Sequence, residues 1–506
     1  MRRIDEGPSP SAAAPIEAAD QVRARLSEAL PDGLGTKPHY SPVVLAGLVR
    51  LTEFVLLCAT GVLVHLAYVV PQVGYEAAYF VAIPCMAALA IVAFQMLRVN
   101  TLGAFRTPIS TGIRIAAGWS FVVLAALAAV FFLKLDGTFS RVWMSGWYAL
   151  GLATLLVERG LLSVLTDGMM RTGRLDRRTV IVGGGPAAEE LLQTLSAQPE
   201  TDLRIFGFFD DRSDDRSANV VAGYPKLGNV DDLVALARHT RIDLVIFTLP
   251  ISAEQRLLQM LRKLWVLPID IRLSAHMNKL KFRPRSYSYI GSVPVLDVFD
   301  KPIADWDVII KSIFDRVVGA LALLALSPLM AVVALAVKLD SPGPAFFRQK
   351  RYGFNNEMIE VFKFRSMRTD ALDHTAARLV TRDDPRVTRV GRFIRRTSLD
   401  ELPQLFNVVF KGSLSLVGPR PHAVHAKAAD HLYDEVVDGY FARHRVRPGI
   451  TGWAQINGWR GETDTPEKIQ RRVEHDLTYI ENWSIFFDMY ILMMTPFALI
   501  KAKNAY

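Results

Sequence analysis

The chain has 506 residues, a net charge of +9 and 51% hydrophobic residues. Its mean hydropathy of +0.21 is too high for a typical soluble enzyme and indicates a membrane protein, while its length predicts two or three domains. The basic residues cluster beside apolar segments, as expected for contact with anionic lipid at the cytoplasmic side, so the charge requires no nucleic acid. Cys58 and Cys85 both lie in apolar stretches, which argues against a disulfide framework and a cysteine-based metal site.

The N-terminal part of the chain contains a polar tail and four apolar segments. Residues 1–40 are rich in Ala, Pro and charge, which predicts a disordered cytoplasmic tail. The four segments that follow are long enough to span a bilayer and predict a four-helix transmembrane bundle over residues 41–168. The spans are expected near residues 51–71, 78–97, 113–133 and 143–163. Arginines follow the second and fourth spans, so the positive-inside rule places both ends of the bundle in the cytoplasm.

A soluble α/β composition follows and predicts a Rossmann-like domain over residues 169–300. An apolar strand at 179–182 leads into Gly183-x-Gly185-x-x-Ala188, and Asp210 follows about 20 residues later, as in dinucleotide-binding folds. Pro186 interrupts the glycine loop, and the chain has no Tyr-x-x-x-Lys pair of the kind used by short-chain dehydrogenases. These features favour a structural or regulatory domain over a working dinucleotide site.

The C-terminal unit, predicted over residues 301–506, begins with an apolar run at 317–337 that is long enough to span a bilayer. Ser327 and Pro328 lie in its middle, where proline removes a helix hydrogen bond and kinks the chain. A kinked span is one interpretation. Because basic residues flank both ends, we favour a re-entrant helix over about residues 312–338 that breaks at Ser327-Pro328 and returns to the cytoplasmic face. Near the C-terminus, Asp488 within the apolar stretch 484–500 favours interfacial packing over a fifth span.

Two adjacent carboxylates, Asp400 and Glu401, lie just behind a run of arginines that includes Arg395. Pro403 fits only the first turn of a helix, so a helix is expected to begin at about Asp400. Acids at this position can serve as a helix cap, and Ser398-x-x-Glu401 matches a capping box. They can also lie where a helix N-terminus and nearby cations favour an anionic ligand. Cations suit a phosphate-rich ligand, and a carboxylate pair suits Mg²⁺.

Five sequence blocks in this order closely resemble the monotopic phosphoglycosyl transferases, a family of bacterial sugar transferases. The blocks lie at 340–349, 361–368, 395–405, 416–421 and 445–458. Residues 301–506 resemble the catalytic unit of the family, and the preceding bundle and Rossmann-like domain resemble those of its large-form members. The segments at 458–465 and 479–484 look most like the undecaprenyl-phosphate glucose phosphotransferase branch.

The resemblance implies a reaction at the cytoplasmic face of the bacterial inner membrane. A UDP-sugar and undecaprenyl phosphate would give polyprenyl-diphospho-sugar and UMP, as the first membrane step of exopolysaccharide or capsule assembly. The resemblance implies that Asp400 is the nucleophile that forms a phosphosugar–aspartyl intermediate and that Glu401 is a Mg²⁺ ligand. It assigns contacts with substrate phosphate or nucleotide to Lys363, Arg365, Arg395 and Arg420.

Alternatives stay open at this point. UDP-glucose is the expected donor, and UDP-galactose is the alternative within the same reaction. A membrane-tethered NAD-dependent dehydratase or epimerase is disfavoured by the missing Tyr-x-x-x-Lys pair, and a non-catalytic scaffold by the intact Asp400-Glu401 pair. A homodimer through the middle domain is a hypothesis that rests on an α/β domain without an evident catalytic set.

Overall fold

The computed structural model describes residues 40–134, 137–197, 202–212, 218–249, 254–274, 288–290, 293–368, 384–421, 427–428, 431–432, 440–459, 461 and 465–501. Residues 1–39 of the predicted N-terminal tail lie outside these residues. Contacts divide the chain into two units: one holds residues 35–177, and the other holds most of residues 178–506.

The first unit is built from the four predicted apolar segments, and each forms a helix. The first and fourth helices extend beyond their predicted bounds at both ends, whereas the second and third begin earlier and end one residue before the predicted end. The helices are α1 (Pro42–Val73, with a π-helical turn), α2 (Ala77–Met96), the short α3 (Leu102–Arg106), α4 (Pro108–Phe132) and α5 (Arg141–Arg171). Their core is aromatic, with the side chains of Trp119, Trp143 and Trp147 fully buried. Within the described residues, five helices are long and apolar enough to cross a membrane, and the fifth belongs to the second unit.

The first unit also buries an ion pair. Glu53 on α1 pairs with Arg159 on α5, and their side chains are 0% and 1% exposed. The Asn100 amide donates to the Glu53 carboxylate at 2.9 Å, and the Arg159 guanidinium donates to the Val99 carbonyl at 3.3 Å. Through these two hydrogen bonds, the ion pair holds the segment at Val99 and Asn100, which follows α2, against α1 and α5.

The middle segment forms one eight-stranded sheet with the order β3-β4-β2-β1-β5-β6-β8-β7. Strand β1 pairs in parallel with β5, and β5 with β6, whereas β8 runs antiparallel to β6. This mixed α/β sheet agrees with the predicted Rossmann-like pattern. The elements are β1 (Arg177–Val182), α6 (Pro186–Ser196), β2 (Leu203–Phe209), β3 (Val220–Val221), β4 (Tyr224–Gly228), α7 (Val230–His239), β5 (Leu244–Phe247), α8 (Glu254–Leu264), β6 (Asp270–Ser274), β7 (Ser288–Ile290) and β8 (Val293–Phe299).

The glycine loop after β1 contacts the acid of the same sequence pattern. The Gly184 N–H donates to the Asp210 carboxylate at 2.9 Å. The Arg212 Nε donates to both oxygens of that carboxylate, at 3.1 and 2.9 Å. The acid that a dinucleotide-binding fold uses for a ribose is therefore engaged by the chain itself.

The C-terminal segment places a long helix, α9, against a lobe of short elements. The elements are α9 (Asp305–Asp340), β9 (Phe346–Tyr352), β10 (Met358–Phe364), α10 (Arg389–Arg396), α11 (Gln404–Phe406), β11 (Ser415–Val417), β12 (Lys427–Ala428), β13 (His431–Leu432), β14 (Gly449–Thr451), α12 (Trp453–Ile456), α13 (Pro466–Glu481) and α14 (Ile485–Lys501). Strands β9 and β10 form an antiparallel hairpin, and β11 pairs in parallel with β14.

Both ends of α9 contact this lobe. Near its N-terminus, the Lys311 ammonium donates to the Val417 carbonyl at 3.2 Å and pairs with Asp488 on α14 at 2.6 Å. Near its C-terminus, Val337 lies in a buried cluster with Phe364 and Ile394. The two ends of a helix of 36 residues are thus anchored on one folded body.

Helix α9 runs without interruption through Ser327-Pro328, so the secondary structure lacks the predicted break. Proline at 328 has no N–H to donate to the Leu324 carbonyl four residues earlier. The Ser327 hydroxyl donates to that carbonyl at 2.8 Å and replaces the missing bond. The Ser-Pro pair therefore preserves helical hydrogen bonding at the position where a break was expected.

Asp488 is accommodated inside the protein, and the expected interfacial packing of its helix stays a prediction. Its side chain is fully buried, not held at a polar surface. Besides its ion pair with Lys311, it accepts hydrogen bonds from the Tyr479 hydroxyl at 2.8 Å and the Trp483 indole at 3.2 Å. Full hydrogen bonding to a paired cation makes a buried carboxylate tolerable in an apolar helix.

Candidate active site

The two adjacent carboxylates lie just after a sharp reversal of the chain. Helix α10 ends at Arg396, and Ser398 adopts a left-handed conformation with φ of 61°. A 3₁₀ turn over Leu399–Glu401 then leads into α11, so the helical run begins where Pro403 predicted it. The Ser398 side chain makes no capping hydrogen bond at this helix start, so the capping-box alternative is not realised.

Glu401 is held by two cations. It is 9% exposed, and its carboxylate accepts from the Lys363 ammonium at 3.0 Å. Both Nη atoms of Arg420 donate to it, Nη1 at 3.2 Å and Nη2 by a shorter contact. Burial alone would raise the pKa of Glu401, but Arg420 and Lys363 hold that pKa well below its usual range. Glu401 is therefore a permanent anion at physiological pH.

Asp400 has the opposite electrostatic character. The residue as a whole is partly exposed, but its carboxyl group is largely removed from water. This desolvation raises the pKa of Asp400 from 3.8 to about 6. Lys363 lowers this pKa, the neighbouring Glu401 raises it further, and Arg395 and Arg420 lower it. Two adjacent carboxyl groups whose environments push their pKa values apart are typical of groups with separate chemical tasks.

The predicted cations divide into two groups. Lys363 at the end of β10 and Arg420 after β11 contact Glu401 directly. Arg395 lies in the last turn of α10, from where its charge lowers the pKa of Asp400. Lys363, Arg420 and Arg395 thus surround the carboxylate pair, and their contact with substrate phosphate or nucleotide stays a prediction.

Arg365 has a different role from the predicted phosphate contact. It is 2% exposed, and its guanidinium donates to the carbonyls of Ser341 at 2.7 Å and Val337 at 3.4 Å and also to that of Pro342. Unpaired carbonyls and the negative end of the macrodipole attract a cation to a helix C-terminus. Arg365 therefore caps α9, and its burial keeps it from a soluble substrate.

A small pocket adjoins the two cations that hold Glu401. It is lined by Arg351, Val361, Lys363, Gln404, Arg420, Pro421, Gly449 and Ile450. Arg351 and Gln404 are not among the site residues expected from the sequence. Register could have found Arg351, because its partner Ile359 lies on the same face of β10 as Lys363. Helical spacing could have found Gln404, which follows Asp400 by four residues.

The carboxylate pair has suitable chemistry for Mg²⁺. No group of three or more His, Cys, Asp or Glu side chains is placed to hold a metal ion among the residues that the structure describes. Magnesium needs no such group, because one or two carboxylates together with substrate phosphates are its usual protein site. The Oε2 atom of Glu401 accepts a hydrogen bond from Arg420 Nη1 and keeps capacity for a further interaction.

Two family models match the chain. The model described as bacterial sugar transferase matches residues 306–502, which contain the carboxylate pair. The model described as CoA-binding domain matches residues 101–275. The glycine loop does not fit the diphosphate of such a cofactor, because the Gly184 N–H already donates to Asp210. A Cβ atom at Gly184 would lie 2.7 Å from the Phe208 ring, so the loop is also tightly packed.

Curated relatives cover most of the chain. The UDP-glucose:undecaprenyl-phosphate glucose-1-phosphate transferase of Escherichia coli (strain K12) is 39% identical over 389 residues, which is 77% of this chain and 81% of that protein. The protein of the same name from Xanthomonas campestris pv. campestris is 36% identical over 77% of this chain and 80% of its own length. The undecaprenyl-phosphate glucose phosphotransferase of Komagataeibacter xylinus is 42% identical over 71% of this chain, and the match spans 66% of that protein.

Proposed function

The chain belongs to the bacterial sugar transferase family, and from this premise we propose that it transfers glucose 1-phosphate from UDP-glucose to undecaprenyl phosphate and releases UMP. The observation that carries the proposal is the pair Asp400-Glu401, in which burial raises one pKa while two cations lower the other. The pair lies within the segment that matches the family. The relatives named for this reaction support glucose as the sugar.

In the first step, a carboxylate oxygen of Asp400 attacks the sugar-bearing phosphorus of UDP-glucose. The bond from that phosphorus to the bridging oxygen breaks, and its electron pair leaves with UMP. With a pKa of about 6, about nine tenths of Asp400 is ionised at pH 7, while its raised pKa makes the carboxylate a better nucleophile than an ordinary one. No proton transfer is required in this step.

In the second step, a phosphate oxygen of undecaprenyl phosphate attacks the same phosphorus. The bond to Asp400 breaks, the carboxylate is regenerated, and undecaprenyl-diphosphoglucose is released. Covalent catalysis thus divides one displacement between two highly charged phosphates into two displacements at a protected site.

Glu401 supports both steps by orienting cations. It holds the Lys363 ammonium and the Arg420 guanidinium beside Asp400, where the charge of the transferred phosphate develops. Mg²⁺, if Glu401 and the substrate phosphates hold it here as the family resemblance implies, supplies additional neutralisation of the diphosphate.

The membrane arrangement follows from α9. Its two ends contact the same polar lobe through Lys311 and Val337, which supports a helix that stays hydrogen-bonded but bends at Pro328, so that it enters and leaves the bilayer on one side. We infer that this side is the cytoplasmic face of the bacterial inner membrane, where basic residues flank the helix. The reaction would then begin a repeat unit of exopolysaccharide or capsule. A homodimer through the middle segment stays a prediction, which the mass of particles extracted with native lipid would test.

The test uses purified full-length protein, Mg²⁺ and UDP-glucose labelled in the sugar, without a lipid acceptor. The proposal expects label bound to protein, stoichiometric UMP release and loss of both in Asp400→Asn. Asp307→Asn is the matched control, because Asp307 is exposed in the first turn of α9. Labelling with UDP-galactose alone would keep the mechanism and replace the sugar. Equal labelling of Asp400→Asn and wild type would refute the nucleophile.

A further inference from the structure

A groove of about 870 Å³ lies between α4 and α5 in the first unit and takes no part in the proposed transfer reaction. Its volume is that of a site for a bound molecule. Its lining is apolar except for Arg141, three serines and Tyr148. A ligand that fits this groove is therefore mostly hydrocarbon, with a polar group at one place only.

The groove has the length of one leaflet of a bilayer. Along α4 it extends from Ser120 to Phe131, which is about 16 Å at a rise of about 1.5 Å per residue. The hydrocarbon core of a bilayer is about 30 Å thick, so one leaflet takes up about half of that. At the inner end, the hydroxyls of Ser120 and Tyr148 hydrogen-bond to each other at 2.9 Å, so neither requires a polar ligand. An acyl chain thus fits the groove in length and in polarity.

Arg141 lies at the outer end of the groove, as the first residue of α5. Its side chain is exposed and makes no ion pair or hydrogen bond with any residue in the described parts of the chain. The helix end that carries it is fixed, because the Ser140 N–H donates to the Tyr79 hydroxyl on α2 at 2.8 Å. The Ser140 hydroxyl also caps α5 by accepting from the Trp143 N–H at 3.4 Å. A well-positioned guanidinium is thus left for an anion.

The expected membrane orientation makes an arginine unusual at this place. Arginines follow the second and fourth spans, so the connection between α4 and α5 is expected on the side away from the cytoplasm. Lysine and arginine are less frequent on that side, and attraction to the anionic cytoplasmic leaflet does not account for Arg141. A phosphate at the interface of the opposite leaflet would supply the missing partner.

We propose that this groove binds one phospholipid with a net negative head group, of the phosphatidylglycerol type. An acyl chain lies between α4 and α5, and the phosphate accepts hydrogen bonds from the Arg141 guanidinium. The positive end of the α5 macrodipole adds to this attraction. A zwitterionic head group carries its own cation beside the phosphate and gains less from Arg141. The lipid also covers Leu124 and Leu127, which are 64% and 46% exposed.

The experiment titrates the full chain in detergent micelles with phosphatidylglycerol or phosphatidylcholine and counts bound lipid by native mass spectrometry. The wild type is expected to bind one phosphatidylglycerol about tenfold more tightly than phosphatidylcholine, because one charge-assisted contact is gained. Arg141→Gln should abolish this preference, whereas Arg141→Lys keeps the charge and should retain it. Arg171→Gln is the matched control, because Arg171 is exposed at the opposite end of the same helix.

A second variant fills the groove and leaves Arg141 in place. Leu127→Trp should weaken binding of both lipids by about tenfold, because the larger side chain excludes the acyl chain. Leu127 does not belong to the buried cluster of the bundle, so the fold should tolerate the change. Phosphatidylglycerol should also raise the melting temperature of the wild type more than phosphatidylcholine does, and Arg141→Gln should remove this difference.

The outcomes separate the head group from the groove. Loss of the preference in Arg141→Gln and weaker binding of both lipids in Leu127→Trp, with Arg171→Gln like the wild type, support the site. Equal binding of the two lipids by the wild type, or a preference that survives Arg141→Gln, overturns the anionic head group. Unchanged binding in Leu127→Trp overturns the groove. Displacement of phosphatidylglycerol by an equal or lower concentration of a polyprenyl phosphate would overturn a phospholipid as the occupant.

Discussion

The electrostatic coupling between Asp400 and its neighbours predicts two pH profiles that move in opposite directions. Asp400 must be ionised to attack, so kcat/KM for UMP release rises with pH through its pKa of about 6 and then reaches a plateau. Glu401→Gln removes the adjacent like charge and shifts the rising limb to lower pH. Lys363→Met removes an opposite charge and shifts the limb to higher pH.

The magnitude follows from the shift of the Asp400 pKa from 3.8 to about 6. That change opposes ionisation by about 3 kcal/mol, of which burial is the largest part. Each neighbouring charge moves the limb in the direction set by its sign, and every pH unit of movement is about a tenfold difference in relative rate on the rising limb. In Glu401→Gln, Arg420 and Lys363 also lose their carboxylate partner and act more strongly on Asp400, so the two effects have the same sign.

The assay is the initial rate of UMP release at UDP-glucose well below KM, from about pH 5 to about pH 9, normalised to each enzyme's plateau. Normalisation separates the position of the limb from the loss of rate that both variants will have. Arg348→Gln on the exposed face of the hairpin controls for a general change in surface charge. Movement of both limbs in the same direction, or of neither, would refute the assigned coupling.

Three further predictions concern stability. Arg365→Met leaves carbonyls at the end of α9 without donors and should lower the free energy of unfolding by about 3 kcal/mol. Denaturant unfolding measures this loss, and UMP binding by the folded fraction should be unchanged. Ser327→Ala should lower the free energy of unfolding by about 1 kcal/mol. The loss should be smaller when Pro328→Ala restores the backbone N–H donor, and a double-mutant cycle measures this difference. Lys311→Met should lower the free energy of unfolding by about 3–5 kcal/mol, because Asp488 is left charged and buried without its partner. The double variant with Asp488→Leu should recover much of that loss in the same unfolding assay.

The parts of the fold that were predictable from sequence depend on short-range signals. The length of an apolar run, the position of Pro403 and the strand before the glycine loop each act over a few residues, and each corresponds to an element in the structure. The carboxylate pair was predictable for the same reason, because Asp400 and Glu401 are adjacent and the helix start beside them is encoded locally.

The remainder depends on contacts between distant residues. Lys311 and Asp488 are separated by 177 positions, so neither charge could be assigned its partner from local pattern. Arg365 belongs to the same basic block as Lys363, yet one cation caps α9 and the other holds Glu401. Strand alternation would place two residues with this spacing on the same face, but β10 ends at Phe364, so Arg365 lies beyond the strand and its direction is set by the end of α9.

The buried pair in the first unit has a consequence for how the protein is synthesised. Glu53 leaves the ribosome 106 positions before Arg159, which at about 5–20 residues per second is a delay of several seconds or more. A carboxylate without its hydrogen-bonded ion-pair partner is costly in an apolar helix in lipid, so α1 would not be released into the bilayer as an independent segment. It would remain beside the insertion machinery until α5 arrives, and the two helices would enter the lipid together. Replacing Arg159 with a neutral residue should therefore produce chains with α1 incorrectly inserted, a defect of biogenesis that no measurement on the purified enzyme would detect.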